Sequence, residues 1–181
     1  MIALLVSIFN KMNKTENIEY IWKLRTRALK RGVFGLIYAY SYNKIITKCG
    51  SSVPLSANFV DMPSFPHGIK GIFISSGAYI GKSAVIFHQV TIGSNTLKDS
   101  KGNGAPEIGQ NVYIGCGAKI IGNVKVGDNV RIGANCVITS DIPDNCTVVL
   151  EKPRIITRDT DGIRNNSFEL YKKIDGDSGT L

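Results

Sequence analysis

Histidine is nearly absent from this chain. His67 and His88 are the only two in 181 residues, too few to build a zinc centre from three imidazoles. Cysteine is scarce and badly spaced for a framework. Cys49, Cys116, Cys136 and Cys146 form no CxxC pair, and three of them fall inside a repeat, so the expectation is reduced thiols in a cytoplasmic protein, with no metal. Long apolar runs are also missing. The opening MIALLVSIF is short, has no basic residues before it and no small-residue cleavage site after it, and so reads as neither a signal peptide nor a membrane span. A chain of this length is expected to hold one domain with a sizeable core.

What is present is a six-residue period. From Ile74 to Pro143 aliphatic residues open successive hexads at Ile74, Ile80, Ile86, Ile92, Ile108, Ile114, Ile120, Val126, Ile132 and Ile138. Glycine follows at Gly81, Gly93, Gly109, Gly115, Gly127 and Gly133, and four places after the opening residue comes a small or branched one such as Ala84, Val112, Ala118 or Val124. Neither a helix (period 3.6) nor an ordinary strand (period 2) explains this. Hexads predict a parallel β-helix, in which short strands stack coil on coil around an aliphatic interior. The regular glycines are expected where the chain turns.

Residues 1–51 read as a helical cap of two or three helices, with Thr15 and Glu19 near a helix start. Residues 52–156 are the coil, its phase weak at Val53, Phe59 and Phe65 and slipping by three residues between Gly68 and Phe73. The spacing from Ile92 to Ile108 exceeds one hexad by ten residues, so residues 94–106 are expected to leave the coil as a polar, glycine-rich loop. Residues 157–181 read as a polar tail with at most a short helix around 167–174. Charge is concentrated in residues 1–50, where nine Lys/Arg face Glu16 and Glu19. With Trp22, Phe34, Tyr38, Tyr40 and Tyr42 this segment suits contact with an anionic membrane surface or, equally, a solvated helix face. No nucleic-acid-binding motif accompanies it.

His67 stands two places after Phe65 and His88 two places after Ile86. If three hexads make a coil, the two imidazoles lie one above the other at about 4.8 Å, and the same column continues through Cys116 and Ala134. Stacked imidazoles resist double protonation, which leaves a neutral base available; a structural hydrogen-bonded pair is the other reading of the same placement.

FPHGIKGIFI (65–74), AVIFHQVTIG (84–93) and residues 108–145 resemble the hexapeptide-repeat acyltransferases, in the serine acetyltransferase-like branch, over roughly residues 52–156. The resemblance implies an all-β fold class, a left-handed parallel β-helix with an N-terminal helical cap and a protruding loop. It also implies a homotrimer and transfer of acetyl from acetyl-CoA to a hydroxyl. It makes His67 the general base, with His88 beside it, places acetyl-CoA along Cys116, Gly117 and Ala134, and points to Lys152 and Arg154 for the nucleotide phosphates. In the serine-specific pattern charged groups hold the amino acid, but Ser52, Pro66, Gly104 and Ala105 stand at those positions here. FPHG with a short helical cap instead resembles the branch found in bacterial capsular and exopolysaccharide loci, which implies a sugar hydroxyl of surface polysaccharide, free or lipid-linked, as the acceptor, with Asn95, Asp99 and Asn103 in the loop to hold it and the inner face of a membrane as a suitable place. The alternatives are serine O-acetylation and a structural β-helix module; a carbonic anhydrase on the same coil would need a third histidine.

Overall fold

The computed structural model describes residues 17–30 and 32–156; Thr15, the opening apolar segment and the tail from residue 157 lie outside them. Among the described residues two helices come first, α1 (Ile18–Ala28) and α2 (Val33–Lys48). Asn17 caps α1, its side-chain oxygen accepting the Tyr20 N–H at 3.0 Å. Glu19 in the first turn and Arg25 and Arg27 in the last match the helix dipole. Gly32, with φ of 107°, breaks the chain between the helices. Ile21 and Leu24 of α1 and Tyr42, Ile45 and Ile46 of α2 are buried in one core with Val53, Phe65 and Ile69 of the coil, so the helices close the end of its apolar interior.

Among the described residues twelve strands of two or three residues follow: β1 (Asn58–Phe59), β2 (Phe73–Ile74), β3 (Tyr79–Ile80), β4 (Val85–Ile86), β5 (Thr91–Gly93), β6 (Glu107–Ile108), β7 (Tyr113–Ile114), β8 (Lys119–Ile121), β9 (Lys125–Val126), β10 (Arg131–Ile132), β11 (Val137–Ile138) and β12 (Thr147–Val148). They form three parallel sheets ordered β1-β3-β6-β9, β4-β7-β10-β12 and β2-β5-β8-β11, which is a parallel β-helix of three strands per coil. The register keeps each hexad opening over the next: Ile74 pairs with Ile92 and Ile92 with Ile120, and Ile86 pairs with Ile114 and Ile114 with Ile132. These isoleucines are buried, and each contributes about 1.5–3 kcal/mol of apolar burial. The weak frames at Val53, Phe59 and Phe65 are a real first coil, since Ser52 bridges Phe73 and Ser64 bridges Val85. The slip after it inserts Ile69 and Ile72, both buried.

The glycines after each hexad opening do not turn the chain. None of Gly81, Gly93, Gly109, Gly115, Gly127 and Gly133 has positive φ. Left-handed corners come two residues later, at Ser83, Asn111, Gly117, Asn129 and Asn135, and at Gln89 two residues after Phe87, with φ of 54–70°. What demands glycine is the approach of the next coil: a Cβ on Gly81 would lie 2.5 Å from the Gly109 carbonyl oxygen, and one on Gly115 would lie 2.7 Å from the Ala134 nitrogen. Asparagine serves the corners because its short amide tolerates left-handed backbone, and here the amides of Asn111, Asn129 and Asn145 also hydrogen-bond in a ladder at 2.9 and 3.0 Å.

The basic, aromatic segment is partly consumed by packing. Arg25 is 6 % exposed, donates to the Leu55 and Ala57 carbonyls and lies over the rings of Trp22 and Phe59. Tyr42 is fully buried and donates to the Val53 carbonyl at 2.7 Å. Phe34 and Tyr40 remain exposed. Among the described residues no helix is long and apolar enough to cross a membrane, and no disulfide joins the four cysteines. The described residues up to Leu150 form one compact unit, and residues 151–156 are assigned to a second unit.

Candidate active site

The bridge from Ser64 to Val85 and the pairing of Val85 with Tyr113 and Tyr113 with Arg131 put His67, His88, Cys116 and Ala134 at equivalent places in four successive coils. Each is followed by a left-handed residue, Gly68, Gln89, Gly117 and Asn135 with φ of 73°, 60°, 70° and 58°. That corner swings the preceding side chain away from the interior, so the column faces outward while the residue two places before it, Phe65, Ile86, Ile114 or Ile132, faces in. The column is bonded along its length, the Gly117 N–H donating to the His88 carbonyl at 3.1 Å and the Asn135 N–H to that of Cys116 at 2.9 Å.

The imidazoles meet as the repeat predicts. Their ring centroids are 5.0 Å apart and Nδ1 of His67 lies 3.0 Å from Nδ1 of His88. Among the described residues no carboxylate forms an ion pair or hydrogen bond with either ring. Ser52 belongs to the ladder with Phe73 and its side chain does not bond His67. The hexad reading overlooked two aromatics. Phe87 meets His67 edge to face at 5.1 Å, and Tyr113 stands 5.1 Å from Phe87. Their signal was available in the sequence, since each adjoins a hexad opening of the histidine column, and Tyr113 is 41 % exposed.

Further down the column Cys116 is half-buried, Gly117 buried and Ala134 exposed. A side chain on Gly117 would collide with the Asn135 amide oxygen, and Lys119 Nζ donates to the Gly117 carbonyl at 2.9 Å. Lys152 and Arg154 are exposed, in an irregular stretch belonging to the second unit.

The loop is not where the histidines are. It leaves after β5 and returns at β6, the corner between the β2-β5-β8-β11 and β1-β3-β6-β9 sheets, whereas His88 follows β4 and turns the chain into β5. One sheet face separates them, so within one chain the insertion falls a third of a coil beyond the histidine corner. Its polar side chains largely serve the loop itself. Asn95 bridges Gly104, donates from its amide to Ser100 Oγ at 2.9 Å and accepts the Leu97 N–H; Asn103 donates to the Leu97 carbonyl at 2.8 Å. Asp99 is exposed.

The repeat, the three parallel sheets and the outward column define a hexapeptide-repeat protein. The family described as bacterial transferase hexapeptide (six repeats) matches residues 105–140. The chain is 32 % identical over 154 residues to the serine acetyltransferase of Buchnera aphidicola, covering 85 % of this chain and 54 % of that one. It is 40 % identical over 115 residues to the serine acetyltransferase of Synechococcus elongatus, covering 64 % and 45 %. Among solved structures, serine acetyltransferase isoform 3 of Entamoeba histolytica in complex with cysteine superposes with a TM-score of 0.58 at 31 % identity, covering 68 % of this chain and 43 % of that one. The Neisseria gonorrhoeae serine acetyltransferase in complex with serine gives 0.55 at 30 %, covering 65 % and 48 %. The chain belongs to the hexapeptide-repeat transferase family, in its serine acetyltransferase-like branch, and its coil is the left-handed parallel β-helix. It spans about half the length of the curated relatives it matches.

Proposed function

We propose that this chain transfers an acetyl group from acetyl-CoA to a hydroxyl, with His67 as general base and L-serine as the acceptor that the relatives favour. The observation that carries the reading is the pair of outward imidazoles 3.0 Å apart, His67 of the two edge to face with Phe87, on a hexapeptide coil. A hydroxyl is a poor nucleophile until a base takes its proton. Here His67 Nε2 receives that proton as the oxygen attacks the thioester carbonyl; the carbon–sulfur bond then breaks and the imidazolium returns the proton to the departing thiolate. With both substrates held in one groove no acyl-enzyme is needed. The pantetheine arm is assigned to the Cys116–Gly117–Ala134 column, whose small side chains leave room beside the backbone.

The loop and the histidines of one chain occupy different corners, so the reading includes a homotrimer in which a neighbour's loop faces the histidine column. Relatives named for serine weigh against the polysaccharide acceptor expected from the sequence. One feature still favours a sugar as a second reading: the Phe87–Tyr113 aromatic pair beside His67 is a stacking surface, and Ser52, Pro66, Gly104 and Ala105 offer no charge to a zwitterion.

The test is release of CoA thiol from acetyl-CoA with L-serine and with a panel of sugars, for the native chain and for His67→Ala. Turnover of serine, lowered about 10²–10⁴-fold by the substitution, is the expected result. Turnover of sugars alone selects the second reading. Thiol release that no acceptor stimulates, or that survives the loss of His67, refutes the activity.

A further inference from the structure

The contact between the two histidines joins like atoms, and this restricts where protons can sit. Two Nδ1–H groups at 3.0 Å would collide and two bare Nδ1 atoms would repel, so one ring must carry Nδ1–H and the other accept it. A neutral imidazole has one N–H, so the donor ring leaves its Nε2 bare while the acceptor ring carries Nε2–H. Whichever way the shared hydrogen points, the pair shows the groove one basic nitrogen and one donor. A carboxylate is the usual partner that fixes a histidine tautomer, and none bonds either ring among the described residues.

We propose that His67 and His88 act as one carboxylate-free dyad in complementary tautomers, His88 accepting the His67 Nδ1–H and thereby holding His67 Nε2 bare as the base. When His67 takes the hydroxyl proton on Nε2, its Nδ1–H remains bonded to His88 Nδ1 as a charge-assisted hydrogen bond, so His88 stabilises the imidazolium without becoming charged. Its own Nε2–H stays available as a donor on the groove side. Phe87, edge to face with His67, limits ring rotation and keeps Nδ1 on its partner. His88 is on this account a positioning residue for His67, which rests on the proposed general-base chemistry.

The chain holds only two histidines, so ¹⁵N imidazole labelling of the untagged protein gives four ring nitrogens and a spectrum that needs little assignment. The expected result is one ring as the Nδ1–H tautomer and one as Nε2–H, or both at intermediate shifts if the shared proton hops. Two rings both in the Nε2–H form overturn the proposal. Kinetics supply the second arm, on variants shown by thermal melts to be folded. His88→Asn puts an amide oxygen near the former Nδ1 and is expected to retain kcat within about tenfold, whereas His88→Leu is expected to lower kcat about 10²-fold with little change in acceptor KM. A His88→Leu protein with intact kcat and a raised acceptor KM makes His88 an acceptor ligand instead, and also overturns it. If no acceptor is acetylated at all, the failure belongs to the proposed activity, and the tautomer spectrum still decides the pairing.

Discussion

Two substitutions two residues apart separate close packing from turning as the reason for the glycine pattern. A methyl on Gly81 would sit 2.5 Å from the Gly109 carbonyl oxygen and 2.6 Å from its carbon. Neither backbone is free to retreat, because Gly81 N–H donates to Ile108 and Gly109 N–H to Val126, each at 2.8 Å. Relief to an ordinary contact requires an opening of roughly 0.8 Å, which carries one such bond beyond the usual range of about 2.7–3.2 Å. A lost ladder bond at about 1 kcal/mol and overpacking at about 1–3 kcal/mol give a cost near 3 kcal/mol for Gly81→Ala. Ser83 occupies the left-handed corner at φ 57° and, among the described residues, makes no hydrogen bond through its hydroxyl, while its backbone N–H donates to the Asp61 carboxylate. Ser83→Gly relieves about 1 kcal/mol of left-handed strain and adds about 0.5–1 kcal/mol of chain entropy, a net change within about 0.5 kcal/mol. Urea unfolding followed by circular dichroism at one protein concentration measures both. The reasoning fails if Gly81→Ala unfolds within 1 kcal/mol of the native chain or if Ser83→Gly is the more damaging change.

Burial raises the Tyr42 hydroxyl to about 12 from its ordinary 10. The neutral form is therefore favoured by folding; its stabilisation is complete below about pH 10 and is lost as pH climbs towards 12, at up to about 1.4 kcal/mol per unit. Unfolding curves between pH 9 and 12 should show this decline in the native protein and a flatter profile in Tyr42→Phe; parallel profiles would contradict it. Arg25→Met should keep the hydrophobic bulk but orphan the Leu55 and Ala57 carbonyls, costing about 3 kcal/mol, read as a fall in Tm. Ala134→Trp should fill the exposed foot of the histidine column and weaken acetyl-CoA binding at least tenfold in calorimetry without unfolding the coil, and unchanged affinity would move the thioester site elsewhere.

The interior was legible because it is written as a side-chain period: Ile74, Ile92 and Ile120 stack as their spacing requires, and the same arithmetic brought His67 over His88. Features that depend on distances between coils were not. The glycine after each hexad opening reads as a turn because glycine often marks one, whereas its reason lies a full coil away in the sequence, as at Gly81 and Gly109. The true corner residues, Asn111, Asn129 and Asn135, carry their own signal in the regular asparagine. Arg25 looked like surface charge because composition cannot say that two carbonyls and two aromatic rings await it. Counting to Ile108 gives the length of the insertion, and only the sheet order shows which corner of the coil it leaves from.

A parallel β-helix has no intrinsic length, since every coil presents to the next the same rows of donors and acceptors that it took from the last. In this chain the terminal row is spoken for. Asn58 and Val60 turn their N–H groups to the second coil, while the carbonyls of Val53, Leu55 and Ala57 receive Tyr42 and Arg25 from the helices instead of another strand. The helical cap is thus a chain terminator in the polymer sense: it consumes the growing end, and a coil stripped of it would offer an open template on which like molecules could add end to end into filaments.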